Sequence, residues 1–210
     1  MSRLSRESIT SNMFKNRKEA GKILARSLEK TGTKADTVVA STRSGLKVAE
    51  KVSKELGLPH TAVMSKKLKA GEKGPVFGAV AQEGTIWLED RVIEEFTIDR
   101  GKVQRMAEKA RRKVAEQVKA LEGVERRDLK GENILLVTDG ISSGARTSAS
   151  LGACMKKGID HSTVATPFMS RHVQEKLSDL ADEVHEIRKP RFVASVEDGY
   201  VSKQNQRTVT

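Results

Sequence analysis

The 210-residue chain carries 39 Lys and Arg against 28 Asp and Glu, a formal net charge of +11, with 37% hydrophobic and only 3% aromatic residues. The length suits one domain of about 100–200 residues with a real hydrophobic core. No apolar run approaches the ~20 residues of a membrane span, and no apolar stretch follows the charged start, so neither a membrane protein nor a secretory leader is expected.

Read in chain order, residues 1–12 lack periodicity and form a loose arm. Asn16 and Glu19 have N-cap and N3 spacing, Ala20, Ile23, Leu24 and Leu28 recur at helical intervals, and Gly32 ends the helix. Residues 37–40 are a short apolar strand, 41–45 a loop of small residues, and 46–57 a helix with Leu46, Ala49, Val52 and Leu56 on one stripe. Another strand follows at 61–64, which completes a parallel crossover. Residues 66–75 are basic and hold Gly71, Gly74 and Pro75, the pattern of a mobile loop. Two strands, 77–81 and 85–88, flank a turn at Glu83-Gly84. A mixed connector with one short helix leads to a long amphipathic helix over 103–121. A second crossover runs from the strand 133–138 through a loop to a helix at 147–157, then a strand at 162–167, a helix at 171–181 and a strand at 184–187. Residues 190–210 are a polar tail. The alternation implies an α/β fold, an open and mainly parallel sheet with helices on both faces and a β-hairpin insertion.

The charge is uneven. All of the basic excess lies before residue 132, chiefly in 1–36, 66–74 and 102–131, and the remainder of the chain is neutral. Basic faces suit nucleic acid or phosphorylated ligands, or are simply solvated. The scarcity of aromatics argues against single-strand binding by base stacking. A lone cysteine, Cys154, cannot form an internal disulfide and fits a cytoplasmic location. The four histidines show no metal-ligand spacing.

The segment with the most chemical content is ILLVTDGISSGART, residues 134–147. An apolar strand delivers Asp139 at its carboxyl end, where open α/β sheets bind ligands. A Gly/Ser loop then opens a helix whose first amides lack internal acceptors and whose dipole favours an anion. Ser142, Ser143 and Thr147 add hydroxyls, Gly144 permits close approach, and Arg146 is the one cation. The segment is neither a P-loop nor a G-x-G-x-x-G dinucleotide turn. An ordinary βα loop would have a similar composition.

ILLVTDGISSGART resembles the phosphoribosyl-pyrophosphate (PRPP) motif of type I phosphoribosyltransferases. MFKNRKEAGKILARSL is similar to the N-terminal helix of a bacterial and archaeal subgroup, and ASTRSGLKVAEKVSKELGLP to its pyrophosphate loop and following helix. SKKL and FGAVAQEG are similar to the strand with a basic residue and the hairpin after it. The ordered set covers about residues 13–170 and implies a single phosphoribosyltransferase-like domain over 13–189. The resemblance implies that the 5-phosphate of PRPP sits on Ser142, Ser143, Gly144, Ala145, Arg146 and Thr147, with Thr138 and Asp139 at the ribose hydroxyls. Thr42, Arg43, Ser44 and Gly45 would take the pyrophosphate, with Mg²⁺ carried by the ligand rather than by protein side chains. Lys67 would neutralise the departing pyrophosphate. A non-proline cis peptide in the 42–45 loop is common in the family.

The sequence also departs from the family. Thr138 replaces the first of two adjacent acids, and Ser44 stands where Gly is usual. Gly74-Pro75-Val76 replaces a segment that often holds Pro-Glu, and the tail keeps few aromatics, Tyr200 among them. Two readings follow. One is an enzyme that transfers phosphoribose to a nitrogenous base or amine, using Asp139, Lys67 and Arg43. The other is a catalytically degraded regulatory protein that binds PRPP or a nucleoside monophosphate, with nucleic acid on the basic helix. The hairpin and long helix offer a homodimer contact.

Overall fold

A computed structural model describes residues 14–72 and 74–201, so the arm at 1–12 and the tail from 202 lie outside the described residues. The cap signals act as the sequence indicates. Asn16 accepts from the Glu19 amide to open helix α1, Arg17–Thr31, and Gly32 closes it at φ 70°. Thr42 accepts from the Gly45 amide and opens α2, Arg43–Leu56. The 42–45 loop is therefore mostly the first turn of a helix. No cis peptide bond occurs among the described residues, contrary to the family pattern.

Five strands make a wholly parallel sheet: β1 (Thr37–Ala40), β2 (His60–Ala62), β6 (Asn133–Val137), β7 (His161–Phe168) and β8 (Glu183–Arg188), in the order β2-β1-β6-β7-β8. The strand alternation divides the core. Val38, Ala40, Leu135 and Val137 face α1 and α2, where they meet Leu24, Leu28, Val48 and Val52. Val39, Ile134, Leu136 and Val164 face the opposite way onto helix α5, Ala145–Lys156.

Three strands form a separate antiparallel sheet, β3 (Ser65–Lys69), β4 (Val76–Ala81) and β5 (Ile86–Leu88). Here the structure corrects the reading of 66–75 as a loop. Residues 66–69 pair with β4. The pattern was hidden because Leu68 is the one apolar residue of the strand. The antiparallel sheet lays Ala79 and Ala81 on the far side of α5. That helix is thus sandwiched between two sheets, which explains its small residues on every side (Ala145, Ala149, Ser150, Ala153). A short helix α3, Asp90–Glu95, precedes α4, Arg100–Lys119. The latter buries only Ala107, Ala110 and Val114, the first two against Leu68, Phe77 and Val80, and leaves its basic faces exposed. Helix α6, Arg171–Ser178, adds Val173 and Leu177 to the α5 side. No described helix is long and apolar enough to cross a membrane.

The stretch read as a tail is packed in part. A short 3₁₀ helix, Val196–Gly199, brings Tyr200 beside Phe14. Phe14, Phe168 and Tyr200 form a ring cluster with centroids 5.8–6.3 Å apart. Three isolated aromatics thus become a small core of their own, worth about 0.5–1.5 kcal/mol per ring pair beyond area burial.

Candidate functional site

The connections reverse direction between β1 and β6: from β1 the chain moves outward to β2, and from β6 it moves the other way to β7 and β8. Such a switch point leaves a crevice at the carboxyl ends of the two strands. Ser41 and Thr42 leave β1 there, and Thr138 and Asp139 leave β6. Thr42, Lys67, Thr138, Ser142, Ser143, Gly144, Arg146 and Thr147 surround one recess. Its free volume is about 10 Å³, close to the room a single water needs.

The recess gathers features that favour an anion. Gly144 stands at the N-cap of α5 with φ 79°, a conformation that favours glycine, and no side chain caps the helix. Its first amides are therefore free to donate outward. Lys67 Nζ donates to Ser142 Oγ at 3.0 Å. Ser143 Oγ is buried without a hydrogen-bond partner. Buried hydroxyls are nearly always satisfied, so an unpaired one aimed at a recess points to a missing acceptor. Burial, the Arg146 guanidinium and Lys69 together push the Lys67 ammonium down to about 8, against the opposing pull of Asp139. Burial also lowers Arg146 from its ordinary value, with Asp139 opposing. Two cations this close and this desolvated are relieved by a bound anion.

That relief has a measurable sign. An anion beside Lys67 favours its protonated form, so orthophosphate should bind at full strength below about pH 8 and progressively more weakly as pH rises above it. Titration calorimetry over this range should show proton uptake, and Lys67→Met should remove both the uptake and the pH dependence. Folding of the free protein responds in the opposite sense. The unfolded chain binds more protons between about 8 and the ordinary 10.5, so the Lys67 contribution to stability rises with pH across that window.

Other residues expected at the site have different roles. Ala145 is buried in the core and contributes only backbone to the cradle. Arg43 is exposed, and neither it nor Ser44 lines the recess. Gly45 packs against the backbone of Thr138 and Asp139, where a Cβ would lie 2.8 Å from Thr42 Oγ1. The Thr138 hydroxyl donates to Thr166 Oγ1 at 2.9 Å and accepts from the Gly140 amide at 3.3 Å. Its bonding is thus largely used within the protein.

Asp139 is the largest surprise. Its side chain is 1% exposed, and Oδ2 accepts from Arg17 Nε at 2.8 Å. Thr42 Oγ1 approaches Oδ1 at 3.5 Å, and the Tyr200 hydroxyl donates to the Asp139 carbonyl at 2.5 Å. Arg17 also donates to Glu197 at 2.6 Å and lies 4.7 Å over the Tyr200 ring. Burial opposes the Arg17 charge, but its bonds to Glu197 and Asp139 outweigh that and raise its pKa. Sequence reasoning missed Arg17 and Glu197. One signal was available: a cation at the first position of a helix is unfavourable to the dipole, so Arg17 there calls for a partner elsewhere.

Among the described residues no cluster of His, Cys, Asp or Glu could hold a metal ion. The histidines do structural work, as with His185 Nε2 against Ser27 Oγ at 2.9 Å. Burial pushes the Cys154 thiol up to about 12, which makes it unreactive.

The chain is an α/β protein with a doubly covered parallel sheet and an uncapped helix start at its switch point. It is similar to several known proteins. Two Mycobacterium tuberculosis sequences, from strains CDC 1551 and H37Rv, carry the provisional name of phosphoribosyl transferase. Each is 28% identical over 200 residues, which is 90% of this chain and 43% of theirs. The chain therefore spans less than half the length of these relatives. The solved structure of the protein TT1426 from Thermus thermophilus has a TM-score of 0.71 at 28% identity, over 91% of both chains. A purine phosphoribosyltransferase from Pyrococcus horikoshii overlaps at a TM-score of 0.47 and 18% identity, over 84% of this chain and 83% of that one. No protein-family model matches. In sequence and fold, the chain resembles the type I phosphoribosyltransferases.

Proposed function

We propose that the cradle holds the 5-phosphate of PRPP or of a nucleoside monophosphate, and that the protein transfers phosphoribose to a nitrogenous base or amine. The observation that carries this reading is the uncapped start of α5, with Lys67, Arg146 and the partnerless Ser143 hydroxyl on the same recess. In the reaction the acceptor nitrogen forms a bond to C1, the C1–O electron pair leaves with pyrophosphate, and the acceptor nitrogen gives up its proton to water. The chain's share is to position the ring and to stabilise charge. The cradle fixes the phosphate end, and Lys67 answers the charge that builds on pyrophosphate. Asp139, oriented by Arg17, lies beneath the ribose position.

No carboxylate lines the recess, and Asp139 is already paired with Arg17. These residues fit a Mg²⁺ that arrives on the ligand's own oxygens, as Mg²⁺ commonly does with phosphates. When bound, the ion would neutralise pyrophosphate charge.

The Arg17–Asp139 pair also supports the second reading, a binding protein that has lost turnover. Incubation with PRPP, Mg²⁺ and a panel of bases separates the two. Pyrophosphate release dependent on one acceptor is the expected result. PRPP binding without release would leave a sensor, and no binding would reject both.

A further inference from the structure

A second cavity lies beside the cradle, between β3 and α4, and most of its lining has no role in the site above. Its volume is about 630 Å³, inside the ~300–1,000 Å³ typical of small-molecule sites, whereas the cradle itself admits little more than one small group. The two spaces adjoin at Lys67 and Arg146, which line both.

The walls of this groove are cationic by construction. On α4, residues 102, 106, 109, 113 and 117 recur at intervals of three and four, so they share one face. Lys102, Lys109 and Lys113 on that face look across at Lys66, Lys67 and Lys69 of β3. Met106 and Ala110 add apolar surface, and Glu72 is the one acid in the lining. The acids of α4 fall elsewhere, as Glu108 does, on the side facing α3. Only Lys51, Lys157, Lys176 and Lys189 among the described lysines pair with a carboxylate within 4.0 Å. Among the described residues none of the groove's cations has a carboxylate within 4.0 Å. What sets the groove apart is that lysines from two elements face one space with a single acid in its lining.

The shape and chemistry select among polyanions. No aromatic ring lines the groove, so nothing is offered for base stacking. From Lys102 to Lys113 the stripe is about 16 Å long at 1.5 Å per residue, which suits one small molecule better than a nucleic-acid strand. We propose that the groove is a second anion subsite that holds the phosphate chain of a polyphosphorylated small molecule, one end of which reaches Lys67 and Arg146 at the cradle. The inference deepens the proposed function by naming the class of a further ligand, and its reach to the cradle rests on that reading.

The test needs no turnover. Titration calorimetry of the whole chain, without Mg²⁺ and at about 0.1 M salt, would compare inorganic tripolyphosphate with orthophosphate. Tripolyphosphate should bind more tightly. The double variant Lys109→Ala/Lys113→Ala, at exposed positions, should weaken tripolyphosphate about tenfold and leave orthophosphate within about twofold. The control Arg112→Ala/Lys119→Ala, outside the groove, should change neither, and thermal melts would confirm that both variants fold. Equal affinity of the wild type for the two anions would overturn the proposal, as would equal weakening by the two double variants. Tighter binding of a single-stranded RNA of about 20 nucleotides, lost in the groove variant, would make the groove a nucleic-acid surface and reject it too. If orthophosphate fails to bind while tripolyphosphate binds and responds to the groove variant, the groove stands and the cradle reading falls.

Discussion

Arg17→Met is expected to cost about 3–5 kcal/mol of folding free energy, because it leaves the Asp139 carboxylate at 1% exposure without its cation. For a chain of this size that is a fall of roughly 10–15 °C in Tm. Asp139→Asn should cost less, about 2–3 kcal/mol, since Arg17 is 20% exposed and keeps Glu197 as a partner. The informative variant is the double one. With both charges gone nothing is left unpaired, so Arg17→Met/Asp139→Asn should lose clearly less than the sum of the single losses. Urea denaturation of the four proteins gives the coupling energy. Strict additivity would mean that the pair is an incidental contact. The comparison also bears on activity: only variants at Asp139 remove the group assigned to the ribose, whereas Arg17→Met removes what orients it.

Gly140→Ala should be nearly as severe. Gly140 has φ 136°, which side chains rarely adopt, and a Cβ there would lie 2.4 Å from Phe168 Cζ. Strain and overpacking together predict about 3–5 kcal/mol. The ring cannot simply yield, because Gly199 also closes on the same end of it and Phe14 and Tyr200 pack beside it. Phe168→Leu introduced alongside should recover the steric part and leave the backbone strain. A partial rescue in Tm is therefore the expected result. Full rescue would show that the left-handed backbone at 140 carries no cost. Orthophosphate affinity should fall with Gly140→Ala as well, because this residue starts the loop that ends in the cradle.

What could be read from the amino acids was local. Asn16, Gly32 and the apolar run at 37–40 mark their elements because caps and buried strands are encoded in adjacent residues. The cradle was legible for the same reason: Ser142 to Thr147 are contiguous, and a helix start needs no distant partner to bind an anion. Strand β3 was not legible from patterning, since three lysines in five residues mask a strand whose one buried apolar side chain is Leu68, and only the resemblance of SKKL to a family strand pointed to it. The state of Asp139 was not legible either. Arg17 is 122 residues away in the chain, and Tyr200 is 61 away on the other side. Both arrive only when α1 and the segment around 196–201 close on the end of β6. Thr138 could be recognised as a departure from two adjacent acids, but its engagement with Thr166 depends on the β6–β7 register.

The adjacency of β1 and β6 also bears on how the protein folds. Thr42 and Asp139 stand 97 positions apart, and the whole antiparallel sheet with α3 and α4 lies between them in sequence. The two central strands of the parallel sheet must therefore find each other across the longest loop that any neighbouring pair in that sheet closes. The entropy of closure grows only slowly with loop length, but non-local pairing of this kind slows folding steeply. The crevice is thus assembled late. A partly folded chain can hold the β6–α5–β7 unit, with its cradle, before it holds the wall that Thr42 supplies.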